Sequence, residues 1–176
     1  MYPIVRMMKE LLVHSRARSL PLDGTHVSYH ICWPWDLDLW LELNNGRTLT
    51  LFDLGRIPLG HRTGLVAALR REGWGLTVAG TSIRYRRRIR VFDRVEMRSR
   101  SVGHDEMFIY IEQSMWKRGV CTTHALIRTA VTSQDGIVPT DQVIRALGHD
   151  PMPGKLPGWV QAWIDAERRR PWPPEM

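Results

Sequence analysis

Cysteine is scarce in this chain, with only Cys32 and Cys121 among 176 residues. They form no CxxC pair and are too few for a disulfide framework, so both read as core thiols of a reducing compartment, which places the protein in the cytoplasm. Long apolar runs are also missing. Ile4, Met7, Met8, Leu11 and Leu12 have helical spacing, but Arg6, Lys9 and Glu10 interrupt them, so the stretch is too short and too charged to span a membrane. Residues 1–20 are therefore expected to hold an amphipathic helix packed on the body of the protein, with no transmembrane segment. Arg16 and Arg18 leave contact with a membrane surface open. Acidic residues are the minority, 18 against 25 basic ones, giving a formal charge of +7 and a pI near 10.1. Such a balance favours anionic partners: nucleic acid, lipid head groups or a phosphate-bearing small molecule. No zinc pattern, recognition helix or single-strand-binding motif accompanies it, so no nucleic acid is expected. The seven histidines show no metal-ligand spacing, and no metal site is assigned.

What is present is a change of period along the chain. Residues 25–33 are β-branched and aromatic and read as a strand. Pro34 to Leu43 reads as loop. Residues 45–57 read as a helix capped by Asn44 or Asn45, apolar around most of its circumference and so buried, and interrupted by Pro58 and Gly60. A second helical stretch covers residues 63–72. Residues 76–89, 91–102, 106–117 and 120–132 read as four strands with short connections, most simply an antiparallel meander. Short helices follow over residues 141–147 and 159–169, separated by the Pro/Gly segment 150–158, and the tail PWPPEM is extended. One long helix with one antiparallel sheet predicts an α+β architecture in which the sheet curls around the helix.

The stretch PWDLDLWLELNNGRTLTLFDLGR, Pro34 to Arg56, carries the candidate chemistry. A buried helix start leaves backbone N–H groups that need acceptors. Asn44 and Asn45 supply some. The amides near Asn45 and Gly46 are also positioned to meet a ligand oxygen, and Gly46 adds no side chain to keep the ligand away. Asp38 sits among Trp35, Leu37, Leu39, Trp40, Leu41 and Leu43, where a carboxylate is costly unless paired or exposed in a pocket. Glu42 is a second acid in the same loop. Asp53 either pairs with Arg56 three residues on or lines a pocket. Trp35 and Trp40 are candidate walls of an apolar tunnel. In Tyr85 to Arg90, strand alternation would set Arg86, Arg88 and Arg90 on one face, either as a solvated edge or as a phosphate site.

Asp38, five residues, Asn44-Asn45-Gly46-Arg47, then Asp53 and Arg56, resembles the hotdog-fold acyl-CoA thioesterases of the 4-hydroxybenzoyl-CoA thioesterase-like type. SIRYRRRIRVFDRVEMRSR, DEMFIYIEQSMWKRGVCTTHALIRTAV and SQDGIVPTDQVIRALG resemble the later sheet strands and the usual close of the domain. The resemblance implies a hotdog domain over residues 25–148, followed by a C-terminal helical extension and tail over residues 149–176. It further implies a homodimer or dimer of dimers joined edge to edge, with sites at the interface, and an acyl-CoA or related thioester substrate. Coenzyme A enters as part of the substrate, with no separate cofactor. Asp38 would be base or nucleophile, with Asp53 or Glu42 assisting. Asn44, Asn45, Gly46, Trp35, Trp40, Arg86 and Arg88 would bind substrate. Leu41-Glu42 stands where the family usually carries Gly-His, and Thr48 where it carries tyrosine. These departures leave a non-catalytic acyl-binding or scaffold dimer as the alternative.

Overall fold

The computed structural model of the chain describes residues 2–148 and 156–174. Helix α1 (Ile4–His14) leads to β1 (His26–Ile31), a 3₁₀ turn (Pro34–Asp36), the long helix α2 (Asn45–Arg62) and α3 (Leu65–Glu72). Strands β2 (Gly75–Tyr85), β3 (Arg94–His104), β4 (Ile109–Lys117), β5 (Val120–Ser133) and β6 (Gly136–Ile137) follow, then α4 (Thr140–Ala146) and α5 (Gly158–Arg169). The Pro/Gly segment expected over residues 150–158 lies largely outside the described residues, as do His149 and the last two residues of the tail.

The sheet is antiparallel in the order β1-β3-β4-β5-β2, with β6 beside β5. It curls around α2, as the hotdog resemblance implies. The expected four-strand meander is corrected: β3, β4 and β5 are sequential neighbours, but β2 pairs with β5 at the far edge. The eight residues between Tyr85 and Arg94 can span about 26 Å. That is ample for three strand spacings of about 4.8 Å, so a short connection does not force neighbouring strands to pair. The basic run is corrected with it. Strand β2 ends at Tyr85, and Arg86 and Arg87 leave the ladder by donating their N–H groups to the Thr122 carbonyl.

Helix α2 is also longer than expected, running through Pro58 and Gly60 to Arg62. Pro58, Leu59 and Gly60 are all buried, and this packing outweighs the poor local propensity of proline and glycine. Leu51, Phe52 and Leu54 of α2 meet Met97, Met115, Ala125 and Ile127 of the sheet. On the opposite face, Val160 and Ile164 of α5 cover Tyr110 and Leu126. Strand β5 is thus covered on both faces along its middle, where Ala125, Leu126 and Ile127 are buried in succession. Cys32 is buried, whereas Cys121 is only half-buried.

Helix and sheet are in close contact at Gly55, where an added Cβ would strike Ser99 Oγ and come within 2.7 Å of Met97 Sδ and 3.3 Å of Gln113 Nε2. Gln113 is fully buried and donates to the Phe52 carbonyl (2.8 Å) and to Ser99 Oγ (2.7 Å), so it has little freedom to yield. Gly55→Ala is expected to lower stability by roughly 1–3 kcal/mol, read as a fall in the urea midpoint without a change in slope.

Candidate active site at the start of helix α2

The two aspartates of the Asp-Leu-Asp stretch have different surroundings. Asp36 is fully buried. Its Oδ2 accepts from Arg6 Nη1 of α1 (2.7 Å) and from the Trp33 N–H (3.0 Å), and its Oδ1 accepts from Arg47 Nε of α2 (2.6 Å). Burial alone would raise its pKa, but the bonds from Arg47, Trp33 and Arg6 outweigh it and hold the carboxyl below the usual carboxylate range. Asp36 joins α1, the 3₁₀ turn and the start of α2.

Asp38 belongs to a tight loop closed by the Leu37–Leu43 bridge and by Asp38 N–H to the Glu42 carbonyl at 2.9 Å. Leu41 takes the left-handed conformation there, with φ of 59°, at the position where the related pattern carries glycine. Asp38 Oδ1 accepts from the N–H groups of Trp40 (2.9 Å) and Glu42 (3.4 Å). Its Oδ2 has no hydrogen-bond donor among the described residues.

Asn44 caps α2, its Oδ1 accepting from the Arg47 N–H at 3.0 Å, as the sequence predicts. The Asn44 carbonyl takes the Thr48 N–H. Among the described residues this leaves the N–H groups of Asn45 and Gly46 with no acceptor in the protein, at the positive end of the helix dipole. A Cβ built on Gly46 would meet nothing closer than Asn44 Oδ1 at 3.4 Å, so a ligand can approach this backbone.

A cavity of about 300 Å³ collects Asp38, Trp40, Glu42, Asn45 and Arg88 of the predicted residues. Leu43 and Ile89 also line it, as do Thr48, Tyr85, Arg87 and Thr123, which the sequence did not mark as site residues. Tyr85 donates its hydroxyl to the Asn45 carbonyl at 3.2 Å, and burial raises its pKa. Glu42 faces Arg88 at 3.3 Å.

Other predicted residues lie elsewhere. Trp35 and Asn44 line an open groove beside the start of α1, so Trp35 and Trp40 do not form one tunnel. Arg86 is exposed and does not line the Asp38 cavity, whereas its neighbour Arg87 does; the strand alternation that would pair Arg86 with Arg88 fails because this run is not a strand. Asp53 also lies outside the cavity and pairs with Arg56, whose Nη1 reaches Gln113 Oε1 at 3.4 Å. Burial and the Asp53 charge push the Tyr2 hydroxyl up to about 12. Asp53 therefore ties α2 to the chain start and the sheet. A second cavity of about 110 Å³, under the C-terminal half of α2, has no carboxylate among the described residues that line it. No group of three or more His, Cys, Asp or Glu side chains among the described residues could hold a metal ion.

Residues 32–176 match the model of the thioesterase-like superfamily. The chain is 35% identical over 106 residues to Protein THEM6 of Xenopus laevis, covering 58% of this chain and 51% of the frog protein. It is 24% identical over 152 residues to Protein THEM6 of Drosophila melanogaster, covering 85% and 77%. The match to the frog relative thus spans about half of that relative's length. Among solved structures, YbaW, a probable thioesterase from Escherichia coli, superposes with a TM-score of 0.65 at 16% identity, covering 69% of this chain and 96% of that one. A putative oleoyl thioesterase from Lactobacillus plantarum gives 0.64 at 16% identity, covering 77% and 56%. These superpositions bear on the fold, which agrees with the curled sheet and central helix. With the family model matching most of its length, the chain belongs to the thioesterase-like superfamily.

Proposed function

We propose that the protein hydrolyses an acyl-CoA thioester at the cavity beside the start of α2. The observation that carries this reading is the convergence of an oriented carboxylate, Asp38, and the start of α2 at Asn45 on one cavity. The carbonyl oxygen would accept from the Asn45 and Gly46 N–H groups, which have no other acceptor in the described protein. Asp38 would then take a proton from water as the water oxygen bonds to the carbonyl carbon. The C–S bond breaks, and the leaving thiolate recovers the proton from Asp38. Alternatively an Asp38 oxygen bonds to the carbonyl carbon as the C–S bond breaks and the thiolate leaves; water then opens the resulting anhydride, freeing the acid and the Asp38 carboxylate and supplying the proton the thiolate takes up. Arg87 and Arg88 offer charge for the coenzyme A phosphates.

Asp38→Asn tests this across short-chain, long-chain and aromatic acyl-CoAs. Asparagine keeps an acceptor for the Trp40 and Glu42 N–H groups, so the loop should hold its shape. Turnover is expected to fall by at least about 100-fold, with melting unchanged. Full turnover in the folded variant would remove Asp38 from the mechanism. In the same assay Arg88→Glu is expected to raise KM about tenfold and leave kcat nearly as it was.

The reading includes a homodimer. The outer edge of β2 has no partner strand among the described residues, and Leu76 and Val78 on it are exposed. Strand β2 ends at Tyr85, which lines the cavity, so a second copy added along this edge would lie close to the site. Sedimentation at twice the chain mass is expected, and a monomer at every micromolar concentration would refute the dimer. One observation favours the alternative of a non-catalytic acyl-binding or scaffold protein: Glu42 faces Arg88 at the cavity, where the related pattern has histidine. Tight acyl-CoA binding by the unmodified protein without turnover would identify that case.

A further inference from the structure

Helix α1 buries a mixed face and exposes an apolar one. Met7 packs in the core, and the Glu10 carboxylate is buried near His14 and His30. The outward face carries Ile4, Val5, Met8, Leu12 and Val13, from 57% to 84% exposed. Ile4, Met8 and Leu12 follow at intervals of four and so form one line along the helix. A helix face turned only to water would be polar. At its start, Ile4 and Val5 border the open groove lined by Trp33 and Trp35, and Trp35 is itself largely exposed.

The charges around this face have one sign. Lys9, Arg16 and Arg18 are exposed, and Glu10, the only acid before Asp23, is buried. We propose that the outer face of α1 and the Trp35 rim of the groove beside it dock on an anionic lipid bilayer. Apolar side chains would enter the head-group boundary, Trp35 would sit at the level suited to an aromatic ring with a polar edge, and the flanking cations would meet lipid phosphates. The contact is one of surface binding, because no helix among the described residues is long and apolar enough to cross a membrane.

Charge and position argue against a second copy of the chain as the occupant. A two-fold contact sets the same patch against itself, and here that would bring two cationic rims together. Helix α1 also lies beside β1, through His14 against His26 and Glu10 against His30, and β1 is the sheet edge opposite β2. A dimer joined along β2 leaves α1 open.

The test is flotation of the full chain with vesicles of equal parts phosphatidylglycerol and phosphatidylcholine, and with phosphatidylcholine alone. The protein is expected to float with the anionic vesicles and not with the neutral ones. Val5→Glu/Met8→Glu/Leu12→Glu changes only exposed positions and is expected to reduce binding at least about tenfold, with melting and sedimentation unchanged. The proposal is overturned if the protein ignores anionic vesicles, if it binds neutral vesicles equally, or if the folded triple variant binds as before. It is equally overturned if the triple variant loses a dimer, since a second copy would then be the occupant. Should the variant fail to fold, Lys9→Glu/Arg16→Glu/Arg18→Glu serves in its place: lost binding supports the proposal, and undiminished binding overturns it.

Discussion

Asp36→Ala is expected to destabilise the protein by about 3–5 kcal/mol, the range for removing one partner from a buried ion pair. The carboxylate is fully buried and takes three donors from three parts of the chain: Arg6, Trp33 and Arg47. Its removal takes a buried acceptor away from those donors and leaves a void at the junction of α1, the 3₁₀ turn and α2. The two arginine side chains keep 17% and 16% of their surface exposed and can turn partly to water, which favours the lower end of the range. At the usual scaling for a chain of this size, the melting temperature should fall by roughly 10 °C. Asp36→Asn should relieve little of this, because its amide N–H groups would face one of the arginine donors. An Asp36→Ala variant that melts like the unmodified protein would overturn the structural role. The contrast with Asp38→Asn, expected to lose turnover and keep its melting point, separates the two aspartates.

Acid should weaken the fold well above the pH at which carboxylates titrate. His26 is buried, 4.5 Å from the His14 ring, with Arg62 Nη1 on its Nδ1 at 3.1 Å and no partner on Nε2 among the described residues. Burial first, then the charges of His14 and Arg62, lower its pKa from 6.5 to about 4. His30 is also buried, with Nε2 on Ser28 Oγ at 2.9 Å. Burial first, then the neighbouring cations led by Arg6, bring it to about 3, although the Glu10 carboxylate at 3.9 Å acts in the opposite sense. Both rings are therefore neutral in the fold and become charged more readily in the unfolded chain. Unfolding takes up two protons between the folded and unfolded pKa values. The stability from the neutral rings is complete above pH 6.5, falls as pH drops below it, and levels off near pH 4 for His26 and near pH 3 for His30. Within that window the slope approaches about 2.7 kcal/mol per pH unit. The contribution of Asp36, whose pKa is lowered in the fold, is lost at still lower pH. Urea unfolding from pH 7 to pH 4 checks this, and His26→Phe should bring the slope to about 1.4 kcal/mol per unit. An unchanged slope in that variant would remove His26 as a source of the acid sensitivity.

The parts of this protein that were legible in the sequence are those set by short-range rules. The Asn44 cap, the helix behind it and the loop carrying Asp38 depend on neighbours within a few residues, and all are read from Pro34 to Arg56. The alternation of strands was visible for the same reason. The pairing of Asp53 with Arg56, three residues apart on one helix, was one of two readings that spacing allowed. The sequence missed Arg6 and Arg47 as the partners of Asp36, because the first lies thirty residues away and on a different helix. It missed Tyr85, Arg87 and Thr123 because they reach the cavity only when the end of β2 and the start of β5 meet the start of α2.

By itself, then, the sequence determined that one long apolar helix would be enclosed by an antiparallel sheet, and that a carboxylate would stand just before the start of that helix. Hydrophobic period and helix-end chemistry act locally, so they are written in consecutive residues. The tertiary structure alone decided that Asp36, two residues from the candidate base Asp38, became a buried clamp. It also decided that β2 crosses to the far edge and that α2 continues through Pro58. These outcomes depend on how apolar faces are buried against one another and on which distant arginines reach a carboxylate, and no local pattern encodes either.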